Sequence, residues 1–132
     1  MAGMRRFAIS AVIAVASLPS AAAAQAWKEI GTTASRSVVL VDTKSIKRMK
    51  DSVSVTMRTR FAAPDGEGIT GTRTIATFHC SEGKVAIKEN DSYRGNRIVK
   101  RSIPKIPGYG VVLGGSLTGV AFDYLCPKSK KP

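Results

Sequence analysis

Three side chains offer most of the reactive chemistry in this sequence: the only histidine, His79, and the two cysteines, Cys80 and Cys126. Behind an export signal, two thiols are expected to join in one disulfide rather than to act as metal ligands or as a nucleophile. A single histidine then leaves too few ligands for a zinc site, which needs three or four. The sequence therefore predicts a Cys80–Cys126 disulfide, and neither a metal nor a cofactor.

His79 is also the one candidate for a general base of the kind that a small basic secreted ribonuclease uses. Glu82 or Glu89 could supply the partner carboxylate. The sequence has no Gly-x-Ser-x-Gly nucleophile elbow and no phosphate loop ending in Gly-Lys-Ser/Thr. We therefore expect a half-exposed strand histidine and no enzyme, with a His79-dependent phosphodiesterase or ribonuclease as the alternative hypothesis.

Residues 1–26 have the three-part layout of a cleaved export signal. Two arginines give a positive start, residues 7–18 form an uncharged apolar core, and a run of small residues follows. The core is shorter than the roughly 20 residues of a membrane-spanning helix. Cleavage after Ala24 or after Ala26 fits the small-x-small rule, and the second is preferred because Trp27 then opens the mature chain. No cysteine lies near either site, which predicts a periplasmic or secreted protein without a lipid anchor.

The charge of the chain points to acidic partners. Its 132 residues include 21 basic and nine acidic ones, a formal net charge of +12. Without residues 1–26, one domain of 106 residues remains with a net charge of +10. Such a charge attracts polyanions, although it could also serve only to keep the protein soluble. The expected basic ligand-binding surface consists of Arg58, Arg60, Tyr93, Arg94, Arg97, Lys100 and Arg101.

Anionic polysaccharide and anionic lipid are the expected polyanions. A tyrosine beside basic side chains, as at Tyr93, is a weak signal for base stacking, so nucleic acid is not an expected partner.

From Trp27 to Ile103 the pattern is that of an antiparallel sheet. Residues 52–61 alternate between an apolar and a polar face, which is typical of a strand with one solvated side. Short glycine-containing connections join several of the strand-like segments, and connections this short allow only antiparallel pairing. We expect strands over 37–42, 52–61, 70–80, 84–93 and 97–103, and a turn or single helical turn capped by Asp42.

The segment after residue 103 differs, because two prolines and a glycine-rich loop over 108–115 end the strand pattern. Ser116 can cap a helix over 117–125. One broad face of this helix would carry Leu117, Val120, Ala121, Tyr124 and Leu125, with Gly119 and Asp123 opposite.

The predicted fold class is mainly β (α+β). A single antiparallel meander sheet of about six strands carries a C-terminal α-helix that the disulfide ties to it. The expected domain is 27–132, with a core over 27–126 and a flexible basic tail over 127–132.

A sparse set of residues runs through the whole domain. It comprises Trp27-Lys28-Glu29-Ile30, the run 38–41 leading to Asp42, Ser45-Ile46, the mid-chain Cys80, Tyr93 and Gly95 ahead of a strand with Val99, and Gly115-Ser116 before a helix that ends in Cys126. Over residues 27–126 this set resembles the surface-adhesin protein E domain of Gram-negative bacteria. The Trp…Asp-x-x-Ser-Ile opening and the cysteine spacing are its most specific parts.

The resemblance implies a six-stranded antiparallel sheet with a disulfide-tied C-terminal helix, and a non-enzymatic envelope protein that binds a macromolecule. The implied partners are a host extracellular-matrix or serum protein, or another envelope protein. The named member of the family is a lipoprotein, whereas this sequence has no lipidation cysteine, so a soluble exported protein is expected. A structural subunit of an envelope assembly is a further alternative.

Overall fold

The structure is a computed structural model that describes residues 25–106 and 108–127. The predicted signal segment, except for its last two residues, and the predicted tail after Pro127 lie outside this range. Within the described range, no helix has both the length and the apolar character to cross a membrane.

One antiparallel sheet forms most of the described chain. Its strands are β1 (Trp27–Thr32), β2 (Val38–Asp42), β3 (Lys47–Arg48), β4 (Ser52–Arg60), β5 (Gly71–His79), β6 (Lys84–Arg94), β7 (Arg97–Ser102) and β8 (Tyr109–Val111). Six strands lie side by side in the order β1-β2-β4-β5-β6-β7. All neighbours are antiparallel, so the predicted six-stranded antiparallel sheet is confirmed.

The alternation in β4 separates the two faces of the sheet. Val55 and Met57 are buried on the covered face, which we define as the side that packs against the C-terminal helix. Arg58 and Arg60 are exposed on the opposite side, the open face. The residues opposite Arg58 and Arg60 on β5 are Arg73 and Gly71, which therefore belong to the open face.

The helix, α1 (Leu117–Leu125), closes the covered face. Ser116 caps it by accepting a hydrogen bond from the Gly119 backbone N–H at 3.1 Å. Cys80, just after β5, and Cys126, just after α1, form the predicted disulfide, with their Cα atoms 5.4 Å apart. The fold prediction, including the disulfide between sheet and helix, is thus confirmed.

The helix differs from the prediction in which side chains it buries. Gly119 was expected on the outer side but is buried, because the loop before the helix crosses it closely: a Cβ there would meet the carbonyl oxygen of Leu113. Tyr124 was expected on the buried face but is 40% exposed, with the Lys28 ammonium 5.3 Å from its ring centre.

Two short strands were not predicted. The glycines of residues 108–115 predict a loop, yet β8 forms there and pairs with the start of β6. Strand β3 pairs with the start of β4. It carries Arg48, whose guanidinium donates to the Leu125 carbonyl at 2.8 Å and so binds the end of α1 to the sheet.

Asp42 is the buried anchor of the first two strands. Its carboxylate accepts from Lys44 N–H, as predicted for a cap, and also from Ala26 N–H, both at 3.1 Å. The Ala26 carbonyl accepts from Thr43 N–H at 2.9 Å. Cleavage of the predicted signal after Ala24 keeps these bonds at Ala26, whereas cleavage after Ala26 removes them.

Candidate ligand-binding site

A row of charged side chains crosses the open face. Strand register places Arg58, Arg73, Asp91 and Arg101 next to one another on β4, β5, β6 and β7. Leu40 on β2 continues the row beyond Arg58. The arginines at the β5–β7 end of this row are paired with carboxylates, whereas, among the described residues, Arg58 at the other end is not.

Arg73 and Arg101 are both paired with carboxylates. Arg101 Nε lies 3.0 Å from the fully buried Asp91 carboxylate and 3.6 Å from Glu89. Arg73 lies 3.2 Å from Glu89 and 3.6 Å from Asp91. Two arginines and two acidic groups thus form one neutral network, in which a buried carboxylate keeps the partners that it needs.

The hydrogen bond from Arg101 to Asp91, with the negative charges of Asp91 and Glu89, raises the pKa of Arg101 above its ordinary value. A group whose pKa is raised in the folded state stabilises that state at pH values below its unfolded-state pKa. This stabilisation is lost as the pH rises through the folded-state pKa. The ordinary value is far above neutrality, so this contribution does not change with pH around neutrality.

Arg58 is held by aromatic rings instead of carboxylates. Its guanidinium carbon lies 5.2 Å from the ring centre of Tyr93 and 5.6 Å from that of Trp27. Within the described part of the chain, Arg58 forms no ion pair and its guanidinium donates no hydrogen bond. Each cation–π contact contributes about 0.5–1 kcal/mol at an exposed site.

Those two contacts offset a large part of the roughly 2 kcal/mol of rotamer entropy that an ordered arginine side chain loses. The guanidinium is therefore positioned in advance, while its N–H groups stay free for an acceptor.

A cavity of about 460 Å³ opens beside Arg58. Trp27, Arg60, Tyr93 and Asn96 line it, and Gly71 lies between Arg60 and Tyr93 in the strand register. A Cβ on Gly71 would meet the carbonyl oxygen of Thr59, so only glycine permits this close pairing of β4 and β5. We call this cavity the arginine pocket.

The predicted basic surface is divided by the fold. Arg58, Arg60 and Tyr93 meet in the arginine pocket, and Arg101 lies on the same face within the neutral network. Arg94 and Lys100 line a different depression with two acidic residues, and Arg94 donates to the Glu67 carbonyl at 2.9 Å. Arg97 is exposed at the β6–β7 turn, opposite Arg94.

The predicted basic surface does not include several residues of the arginine pocket, among them Trp27 and Asn96. The sequence indicates Trp27 only as the opening residue of the domain and assigns no role to Asn96. Neither residue carries a local sequence signal for binding, because both come close to Arg58 only through the pairing of strands that are distant in sequence.

His79 lies on the same face, away from this pocket. Its ring packs edge-on against Tyr109, with ring centres 4.4 Å apart. In the described part of the chain it makes no hydrogen bond or salt bridge to Glu82 or Glu89. No group of three or more His, Cys, Asp or Glu residues within that part could hold a metal ion.

The fold and the pocket define a small disulfide-tied sheet domain with an arginine held between aromatic rings on its open face. No protein family model, no curated protein and no solved structure matches this chain. A fold alone does not determine a function, so what the chain binds is inferred from the side chains of the site.

Thr59 gives a first prediction. Its Oγ1 is buried without a hydrogen-bond partner among the described residues. The substitution Thr59→Val keeps the shape and removes this group, so we expect the free energy of unfolding to rise by about 1 kcal/mol in urea denaturation. Thr56→Val, on the open face of the same strand, is the control. A loss of stability specific to Thr59→Val would show that the hydroxyl has a partner in solution.

Proposed function

We propose that this chain is a non-enzymatic, exported envelope protein of the protein E-like type, and that it binds a polyanionic macromolecule on the open face of its sheet. The favoured ligand class is a sulfated or carboxylated polysaccharide. Anionic lipid and an acidic host or envelope protein are the alternative ligands, because they present the same kinds of acidic group.

The observation that carries this proposal is the ordered and unpaired guanidinium of Arg58. A guanidinium presents donors in a planar fork that matches the oxygens of a carboxylate, sulfate or phosphate. Here the guanidinium lies over two aromatic rings, and rings accept no ordinary N–H hydrogen bonds, so its N–H donors remain available to an anionic ligand.

The surrounding charge supports an anionic ligand. Arg73 and Arg101 are balanced by Glu89 and Asp91, whereas Arg58 and Arg60 form no ion pair within the described range. Glu29 lies two strands away from Arg58 on the same row, and among the described residues it forms no ion pair. The pocket therefore adds a local positive potential to that of the whole basic domain, which speeds the approach of a polyanion.

The solvent-exposed rim of the pocket suits a long polymeric ligand better than a small ligand that would be fully buried. Arg60 and Asn96 are exposed at its edge. A long polyanion can place one acidic group at Arg58 and others along the rim, and binding of this kind weakens as salt is added.

The test compares Arg58→Ala with Lys50→Ala on heparin-agarose. Both variants lose one positive charge, but Lys50 is an exposed residue outside the pocket. We expect Arg58→Ala to lower the affinity for heparin about tenfold and to reduce the salt slope by about one. Lys50→Ala should shift elution only slightly.

Two outcomes would contradict the proposal. Equal elution of the wild type and Arg58→Ala would place heparin elsewhere on the surface. No retention even in low salt would mean that the positive charge only keeps the protein in solution.

A further inference from the structure

A second concave surface of the molecule lies on the covered face, beside the start of α1. Two adjoining depressions of about 300 and 350 Å³ share Ser35, Ser37 and Phe61. Thr59, Thr72 and Asn90 line the first of them. We call this surface, defined by these six residues, the hydroxyl groove.

The buried hydroxyl of Thr59 is the strongest sign of a ligand. Thr59 is only 7% exposed, and its Oγ1 has no hydrogen-bond partner among the described residues. An unpaired buried hydroxyl costs on the order of the energy of a lost hydrogen bond, so it is rarely retained without a reason. A χ1 rotation toward the groove would present this group to a bound molecule.

The other polar groups of the groove both donate and accept. Ser35 Oγ lies 3.5 Å from Ser37 Oγ, in a short chain of hydroxyls. The side-chain oxygen of Asn90 accepts from Thr74 at 2.8 Å, which leaves the amide N–H groups of Asn90 available as donors. Thr72 stands directly across the strand pair from Thr59.

No charged side chain of the described residues lines either depression, in contrast to the arginine pocket. Phe61 is half-buried where the two depressions meet and adds an apolar surface. Hydroxyl and amide groups around an aromatic ring complement a sugar, which has hydroxyls at its edge and C–H groups on its flat sides.

We propose that the hydroxyl groove binds a neutral saccharide, with Thr59 Oγ1 pairing with a sugar hydroxyl and Phe61 packing under a ring. Thr59 also borders the arginine pocket, but β4 directs its side chain to the face opposite Arg58, so the two sites use different side chains.

The experiment titrates the ¹⁵N-labelled full chain with maltohexaose, cellohexaose and chitohexaose at about 1–10 mM, where weak binding is detectable. We expect at least one of them to shift the amide signals of Ser35, Ser37 and Phe61. Thr59→Val should weaken that binding about tenfold while the protein stays folded, and Phe61→Leu should weaken it as well. Thr56→Val, the same change on the opposite face, should bind as the wild type does.

Other outcomes overturn the proposal. If none of the three oligosaccharides shifts these signals, the groove is not a saccharide site. If inorganic phosphate shifts them and the sugars do not, the groove binds an oxyanion. If the sugars bind and Thr59→Val binds them equally well, the buried hydroxyl is not part of the site. Retention on heparin is unaffected by any of these results, so failure here is distinguishable from failure of the arginine pocket.

Discussion

Replacing both cysteines with alanine, C80A/C126A, lowers the free energy of unfolding by about 4 kcal/mol. The cysteines are 46 residues apart in sequence, and closing a loop of that length restricts the unfolded chain by an amount of this size. Small domains have a total stability of about 5–15 kcal/mol, so the double variant keeps only a fraction of it.

The loss has a structural side as well. Helix α1 has only nine residues, and a helix this short is marginal without tertiary contacts. The disulfide and the Arg48–Leu125 hydrogen bond both hold its last turn. We therefore expect the helix to fray first when the disulfide is absent.

Guanidinium chloride denaturation, followed by far-ultraviolet circular dichroism, measures this change. The wild type treated with a reducing agent is the control and should match the double variant. A loss of less than about 1 kcal/mol would contradict the importance given to the disulfide.

The second large effect is expected for Phe78→Ala, which should lower the free energy of unfolding by about 3–5 kcal/mol. Phe78 is completely buried in the core between sheet and helix, and its ring centre lies 6.3 Å from that of Phe122. Removing it leaves a cavity that the rigid strands on either side cannot fill.

Phe122→Ala is the matched control for Phe78→Ala. Phe122 lies on the helix and is only partly buried, so a loss of about 2 kcal/mol or less is expected. Thermal or urea denaturation measures both variants. Equal losses would mean that the sheet side of the core is no better packed than the helix side.

Regular patterns in the sequence were sufficient to predict the large elements. The strict alternation of residues 52–61 predicted both β4 and the exposure of Arg58 and Arg60. Ser116 ahead of an apolar run predicted the start of α1. The two cysteines, taken with the signal segment, predicted the disulfide.

Features that depend on contacts between distant segments could not be predicted. Strands β3 and β8 have two and three residues, too few to show any period. The burial of Gly119 depends on a loop that crosses it. Trp27 meets Arg58 only because the sheet order β1-β2-β4 leaves a single strand between theirs, a distance that two long side chains can span.

The alternation of β4 also explains how one strand contributes to two surfaces. Arg58 and Arg60 point to the open face, and Thr59 points to the covered face. A change at any of these positions should therefore affect one surface and spare the other, apart from effects on folding.

Trp27 provides the most direct test of the arginine pocket, because it is the only tryptophan of the chain and lies against Arg58. The measurement is a titration of the folded protein with a sulfated heparin tetrasaccharide, followed by tryptophan fluorescence. A ligand in the pocket changes the emission of Trp27 in a saturable way, and added salt or Arg58→Ala reverses that change. If the tetrasaccharide binds and the emission of Trp27 stays constant, the polyanion does not bind at the arginine pocket.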